Sequence, residues 1–512
     1  MRFVRQKSRS PNTYFVRITT LLLSAKLFTL ALAVVAWAAP LQVEKPYFGI
    51  HVVDGSNDRG VPLVELRTVN DVSYWTDSQG WVAFHEPDLM DRDVFFHVAT
   101  PGYEFPSDGF GYRGVRLQTT PGNSATIQVR RTNLAERICR MTGQGIDRDT
   151  RLLGLATDRE RDQAITLGQD SVQAVPFADK IFWLWGDTNL AHYPLGNFHT
   201  TAATSRLPTK ETEPPENGVR FEYYLDATTG FVAPMIPDSQ PGAVWLFGLM
   251  VVPNESGHDE LLAHYSRHLS LAEVAEHGLV RFNSKSERFE KLKTIDLAEK
   301  WRYPRGNAVR VSGGSGDYFY FCEPFATTRV KAYWASVIDP QAYEALHFDE
   351  ATSSYRWQTD LEPTTQQRES ELLIAGEISA GQCRYRCLEA ASGSSIEIHR
   401  ASINWNKFLN KWLLIGNQAG DANAASRLGQ VWMATADEIA GPWHTAIKIA
   451  SHPNFSFYNP RQHTFFDSAD GRYVYFEGTF TRTFSGSVAI PRYEYNQLLY
   501  RLDLSNKRIS GQ

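Results

Sequence analysis

The sequence predicts an all-β protein, an N-terminal β-sandwich followed by a five-bladed β-propeller. Three observations carry that expectation. Aromatic residues are abundant, 13 Trp, 22 Tyr and 29 Phe among 512 residues, and most sit in short runs bounded by Gly, Asn and Asp, the pattern of half-buried strands and turns. The early chain is one compact series of such runs. The later chain makes a turn and then an aromatic-rich strand five times, at roughly 60-residue intervals, as propeller blades do. A large β-sandwich or a β-helix is the alternative for this second part.

Residues 1–38 stand apart from both. Arg2, Arg5, Lys7, Arg9, Arg17 and Lys26 are six positive charges with no acid among them. The apolar stretch Leu27–Ala38 follows and closes on Ala36-Trp37-Ala38. A basic segment, an apolar segment and a small-x-small cleavage site make a signal peptide. The run falls short of the about 20 residues that span a bilayer, and an uncleaved N-terminal tether is the alternative. The protein is therefore expected to be exported: periplasmic, extracellular or at the cell surface. Removing a leader with six cations and no anions takes the net charge from −5 to −11. So acidic a body speaks against nucleic acid and anionic bilayers as partners, and no other stretch is apolar enough to cross a membrane.

Four cysteines are present, Cys139, Cys322, Cys383 and Cys387. Export permits disulfides, which makes Cys383 and Cys387 the expected local pair, whereas Cys322, inside an aromatic strand, reads as a buried free thiol. No Cys/His pair with zinc spacing accompanies them. No cofactor is predicted, and the sequence leaves open a Ca2+ ion in the propeller channel.

The sandwich is expected over 46–131, with strands at Tyr47–Val53, Val61–Val69, Trp81–Phe84, Val94–Ala99 and Ala125–Arg130 between Asp/Asn/Gly turns. Gly60-Val61-Pro62-Leu63, the turn Thr76-Asp77-Ser78-Gln79-Gly80 and Pro101-Gly102-Tyr103 together resemble the carboxypeptidase regulatory-like, transthyretin-like sandwich. That resemblance covers about 60 residues and implies an accessory module without catalysis. Residues 132–166 read as a linker with a short helix, ERICRMTG, ended by Gly143.

From 167 to 512 the repeated strands are KIFWLWGDT, AVWLFGLMV, DYFYFCEPF, KWLLIGNQ and RYVYFEGTF. ELLAHYSRH, the hairpin LVRFNSKSERFEKL and the pair VWMATADEIAGPWHTAIKI lie between them as partner strands. The fourth unit carries a long polar insertion, roughly Asp339–Ser395. GQDSVQAVPFADKIFWLWGDT and VWMATADEIAGPW resemble the opening blade and the outer-strand turn of five-bladed glycosidase-like propellers, the arabinanase/xylosidase and levansucrase-like group. The resemblance implies a carbohydrate partner and places Asp170 at that group's catalytic Asp. Its general acid has two candidates, Glu477 in YFEGTF and Glu323 in YFCEPF. This chain departs from the pattern at Ser171, where the group usually has Pro, and no residue is assigned to the group's middle Asp.

Glycoside hydrolysis needs two carboxyls flanking the scissile bond, one to protonate the leaving oxygen and one to attack or to activate water. Asp170, Asp187, Glu323 and Glu477 border aromatic strands whose burial would raise a pKa. Asp170 as base or nucleophile and Glu477 as acid is the expected assignment. Both Asp170 and Asp187 could instead hold turns through side-chain hydrogen bonds. Two polar, aromatic segments supply expected sugar-binding groups: Trp185, Asn189, His192, Tyr193, Asn197 and His199 in the first, and Asn459, Arg461 and His463 in the second. His192 and His199 could alternatively hold a metal. Arg461 could hold a carboxylate on an acidic sugar. Arg302, Arg305 and His277 are expected only as cleft liners. No nucleophile elbow, phosphate-binding loop, dinucleotide fingerprint or HExxH helix occurs in a supporting context. The expected function is therefore a glycoside hydrolase acting on an oligo- or polysaccharide, with a non-catalytic glycan- or protein-binding propeller as the alternative. Two carboxyls roughly 5–10 Å apart at the propeller mouth would favour the enzyme.

Overall fold

The computed structural model describes residues 46–157, 165–209, 214–314, 316–420 and 427–510. The leader read at residues 1–38 lies outside them. Residues Tyr47–Gln512 form one compact unit. Among the described residues no helix is long and apolar enough to cross a membrane.

The sandwich consists of two four-stranded sheets. One orders Trp81–Phe84, Phe48–Asp54, Ser124–Arg131 and Tyr103–Glu104; the other orders Ser73–Trp75, Glu65–Thr68, Asp93–Ala99 and Gly114–Gln118. Strand Asp93–Ala99 shows why they stack. Val94, Phe96 and Val98 are buried while the residues between them are not, the two-residue period of a sheet with one dry face. Those side chains close on Ile50, Val52, Phe84, Ile127 and Val129.

Besides a small three-stranded sheet of Gly168–Gln169, Thr188–Leu190 and Tyr193–Asn197, five blade sheets follow, antiparallel except for one parallel pair in blade four, each beginning at the propeller axis. Their innermost strands are Gln173–Phe177, Ala243–Pro253, Asn307–Val311, Ile398–Asn406 and Ser456–Gln462, in blades one to five. The aromatic runs of the sequence fall one to a blade. In blades one, three, four and five they form the second strand, Lys180–Trp185, Tyr318–Cys322, Lys411–Gln418 and Tyr473–Thr481, and in blade two the innermost strand itself. A strand inside a blade meets neighbouring blades on both faces, so it reads as a continuous apolar run instead of an alternating one. Five separate cores fill the gaps between blades. Phe182 and Leu184 meet Val244 and Tyr265 between blades one and two, and Met250 and Leu262 meet Phe319 and Phe321 between two and three. Phe325 packs with Ile403 and Trp432, and Leu413 and Ile415 with Phe457 and Phe476. Leu499 and Ile138 return to Trp183 and Trp185 of blade one. Five interfaces for five blades make a closed ring.

The ring closes through a segment expected to be helical. Glu136–Arg140 is a strand, paired antiparallel with Asn496–Asp503 as the outer edge of blade five. All five of its residues are buried. The charges that suggested an exposed helix are each used in place: Glu136 pairs with Arg501 at 2.7 Å, Arg137 donates to the carbonyls of Pro62 and Pro101, and Arg140 to that of Arg492. Among the described residues of this stretch the only helix is Arg148–Leu152.

Two further expectations are corrected. Part of the supposed insertion Asp339–Ser395 is the outer hairpin of blade three, Glu344–Asp349 with Ser354–Gln358, after which a helix, Gln366–Ala375, begins on a Thr365 cap. Cys383 and Cys387 are both buried free thiols, as is Cys322; the Cys383 thiol points to the Ser379 carbonyl.

Sandwich and propeller meet in a shared core, where Leu63 packs with Leu134, Ile490 and Tyr493. The buried Tyr493 hydroxyl donates to the Thr76 carbonyl at 2.7 Å and accepts from the Leu63 amide at 3.1 Å. Replacing Tyr493 by Phe leaves that amide only a longer 3.3 Å bond to Thr76. Urea unfolding of Tyr493→Phe should therefore show a loss of about 1–2 kcal/mol. A change within a few tenths of a kcal/mol would show that this junction adds nothing to stability.

Candidate active site

Each innermost strand starts at the same end of the ring, and these starts line one cavity. Asp170, Ser171 and Gln173 come from blade one, Trp245 and Phe247 from blade two, Arg305 and Asn307 from blade three, His399 and Arg400 from blade four, and Tyr458 and Asn459 from blade five. The cavity measures about 920 Å³, within the size range of small-ligand sites.

Asp170 sits on the seam between the last blade and the first. One carboxylate oxygen accepts the hydroxyls of Tyr458 at 2.8 Å and Tyr495 at 2.7 Å, both from blade five. The next residue takes φ 54°, and its amide donates to Thr479. A proline, fixed near φ −65°, could not occupy that position, which is a physical reason for Ser171 here. Gly186 is equally constrained: a Cβ there would lie 2.2 Å from an Asp170 oxygen. Only glycine lets the chain after strand Lys180–Trp185 pass so close, and it delivers Asp187 beside Asp170. The two backbones are joined by the Gly186 amide to the Asp170 carbonyl and the Asp170 amide to the Asp187 carbonyl.

Asp187 accepts the indole N–H of Trp245 at 2.7 Å. Burial first, and then the charge of Asp170, push its carboxyl up to about 7, with the indole opposing. Burial also raises Asp170, against the pull of the two tyrosine hydroxyls. Those hydroxyls are themselves held well above the usual tyrosine range, first by burial and then by Asp170, so they stay protonated and donate. Both carboxyls are raised, and the charge of Asp170 adds to the rise at Asp187, so their titrations are linked.

Across the axis the wall is cationic. Arg400 pairs with Glu323 at 2.9 Å, and the other Glu323 oxygen accepts the Arg305 amide at 2.8 Å. Glu323 thus stands behind the wall with both oxygens engaged. His268, in van der Waals range of the Trp245 ring with centroids 4.4 Å apart, and His399 are both lowered to about 4, by burial and then by the charges of Arg305 and Arg400 respectively. Both are neutral near pH 7.

Several expected residues lie elsewhere. Glu477, expected as the acid, is 1% exposed and bonded to His463 at 2.6 Å, with Trp183 and Phe465 against the imidazole. Both side chains fill the interface of blades five and one and do not reach the cavity. Trp185 is in the same interface, stacked parallel on Trp183. Arg461 is buried behind the wall. Asn189, Asn197 and His199 hold their own loop, through the Leu195 amide, the Val232 carbonyl and the Val244 amide. His192 lies against Phe231 and Tyr193 is exposed, so the two histidines of that segment do not converge. Arg302 and His277 bind the carbonyls of Pro340 and Tyr303. Of the expected set, Asp170, Asp187 and Asn459 line the cavity, together with Arg305. Trp245, Arg400, His399, His268 and Tyr495 were missed; the signal for the first three is their place at the start of an innermost strand. Among the described residues no group of three or more His, Cys, Asp or Glu could hold a metal ion.

No family model matches the chain, and no curated protein matches it. Solved structures similar to it include a presumed hydrolase from Bacteroides ovatus ATCC 8483, 12% identical over 66% of this chain and 86% of that one with a TM-score of 0.43. An exo-1,5-α-L-arabinanase from a bovine ruminal metagenomic library is 12% identical over 67% and 95%, with a TM-score of 0.33. The Penicillium chrysogenum α-L-arabinanase complexed with arabinobiose is 12% identical over 73% and 98%, with a TM-score of 0.32.

The raised Asp187 sets a sign for stability. Its carboxyl binds a proton more tightly folded, at about 7, than at its ordinary 3.8. The stabilisation from the protonated form is complete below about pH 4 and is lost as pH rises to about 7. Asn at 187 is neutral throughout. The thermal midpoint of Asp187→Asn relative to wild type should therefore be higher at pH 8 than at pH 4, and an equal difference at both would contradict the buried environment that raises this carboxyl.

Proposed function

We propose that the propeller cavity hydrolyses a glycosidic bond in an oligo- or polysaccharide, with Asp170 and Asp187 as its working carboxyls. The observation that carries this reading is the pair of neighbouring carboxyls on an open cavity, one anchored by two tyrosine hydroxyls and the other raised to about 7. Asp187 holds a proton at neutral pH and can give it to a leaving oxygen. Asp170, whose carboxyl burial raises while the Tyr458 and Tyr495 hydroxyls oppose that rise, can in its ionised form attack or draw a proton from water. Trp245 offers a ring edge beside the acid, and the neutral imidazoles of His268 and His399 can each bond a hydroxyl.

One observation favours a second reading, glycan binding without cleavage. Both carboxyls come from blade one, so they approach a ligand from the same side, whereas hydrolysis requires them to flank the bond.

Assaying wild type, Asp170→Asn and Asp187→Asn on a panel of plant, algal and bacterial glycans separates the two. The hydrolase reading expects released sugar from wild type and a fall of about 10²-fold or more in both variants, with circular dichroism unchanged. Retention of a glycan by wild type without turnover would replace it with the binding reading.

A further inference from the structure

We propose that the cavity takes a glycan bearing an oxyanion substituent, a carboxylate or a sulfate, and that Arg305 and Arg400 hold this group on the wall opposite Asp170 and Asp187. The inference rests on the carbohydrate reading for its sugar scaffold; the anion site itself is argued from the cationic wall.

Arg305 is the decisive residue. Arg305 lines the cavity, and its guanidinium lies over the ring of Phe247, another lining residue, at 5.7 Å. Among the described residues no carboxylate pairs with it: the one nearby acid, Glu323, gives one oxygen to the Arg400 guanidinium and the other to the Arg305 backbone. Two guanidiniums therefore stand beside one carboxylate that pairs with only the Arg400 guanidinium, and a net positive charge remains on this wall. Holding a half-buried cation without a counter-ion is unfavourable, and the cost is relieved when a ligand supplies the negative charge. The planar fork of Arg matches the two coplanar oxygens of a carboxylate and two of the oxygens of a sulfate.

Glu323 also fixes the direction of the wall. By tying the Arg400 side chain to the backbone that carries Arg305, it sets both cations on the strand starts of blades three and four. The aspartates stand on blade one, so the cavity is negative at one side and positive at the other. An anionic sugar then has one favourable orientation, its charge turned away from the aspartates and its neighbouring linkage turned toward them. A neutral sugar draws no such benefit from the guanidiniums. The rim suits a sugar ring in the ordinary way: Phe484 and Leu271 line the mouth at 69% and 86% exposure, offering flat apolar surface to the C–H faces of a pyranose.

Calorimetry on the full protein tests this with three probes: oligouronates, the same oligosaccharides after reduction of their carboxyls, and sulfated galactan oligosaccharides. Wild type is expected to bind an oxyanion-bearing probe at least about tenfold more tightly than the carboxyl-reduced one, and that affinity should fall as NaCl rises. Arg305→Gln should lose the preference while binding the neutral probe unchanged, and Arg305→Lys should recover part of it. Preference for the sulfated probe over the uronate would assign the anion as sulfate, and the reverse as carboxylate. Equal wild-type affinity for charged and neutral probes, an equal loss of both in Arg305→Gln, or no binding of any charged probe overturns the proposal. Should Arg305→Gln fail to fold, the salt dependence of wild type decides alone, and salt-insensitive binding of the charged probes counts against it. Charged oligosaccharide that binds but is never cut removes the hydrolase reading and leaves this one standing. Neutral glycan cut by Asp170 and Asp187 with no effect of Arg305 does the reverse.

Discussion

A ring of blades holds its shape only when its last blade is tied to its first, because an open end would leave a sheet edge and an apolar face uncovered. Here the tie is the antiparallel pairing of Glu136–Arg140 with Asn496–Asp503, which brings residues that precede the first blade onto the rim of the last. The geometry of the cavity inherits that constraint. Asp170 opens blade one, and the two hydroxyls that hold its carboxylate, Tyr458 and Tyr495, belong to blade five. Ser171 reaches Thr479 across the same seam, and Gln497 bonds the Gln169 carbonyl. A shift at the closure would separate Asp170 from the two hydroxyls that bind its carboxyl. The sandwich bears on the same point, since Arg137 of the closing strand is held by the carbonyls of Pro62 and Pro101.

Within the ring, electrostatics are arranged by wall. Two carboxyls side by side in a weakly polar pocket cannot both ionise near neutrality without mutual repulsion, and the unequal donors around them decide where the charge rests. Asp170 has two hydroxyls and Asp187 a single indole. On the far side, burial and neighbouring guanidiniums keep His268 and His399 uncharged, leaving the arginines as the only cations facing the cavity among the described residues. An otherwise acidic chain thus presents positive charge at one internal place, where a low dielectric makes it most effective.

Much of the fold could be read from the sequence because its signals are strong and local. The runs KIFWLW, YFYFC, KWLLIG and YVYFEG are apolar on both faces, as a strand between two blades must be, and each marked a blade. ERICR was misread because five residues give too little periodicity to separate helix from strand, and its charges are satisfied by partners as distant in sequence as Arg501. The site was legible in part for the same reason. Asp170 and Asp187 flank one hairpin, Gln173–Phe177 with Lys180–Trp185, and are joined by local backbone bonds. Glu477 looked equivalent from its place in an aromatic strand, yet it lies in a second strand, away from the axis, where a carboxyl is enclosed instead of presented. Arg400 and Trp245 carry no local motif; their role follows from the convergence of strand starts, a property of the closed ring and not of any one segment.

The central claim is that Asp170 and Asp187 are neighbouring, buried carboxyls on the cavity, and that the charge of the first raises the second. Carboxyl 13C shifts of the aspartates, followed by NMR through a pH titration of wild type and Asp170→Asn, test it directly. The account predicts that Asp187 titrates near pH 7 in wild type and at clearly lower pH once the Asp170 charge is gone. An Asp187 that titrates in the ordinary carboxylate range of about 4 in both proteins would contradict it.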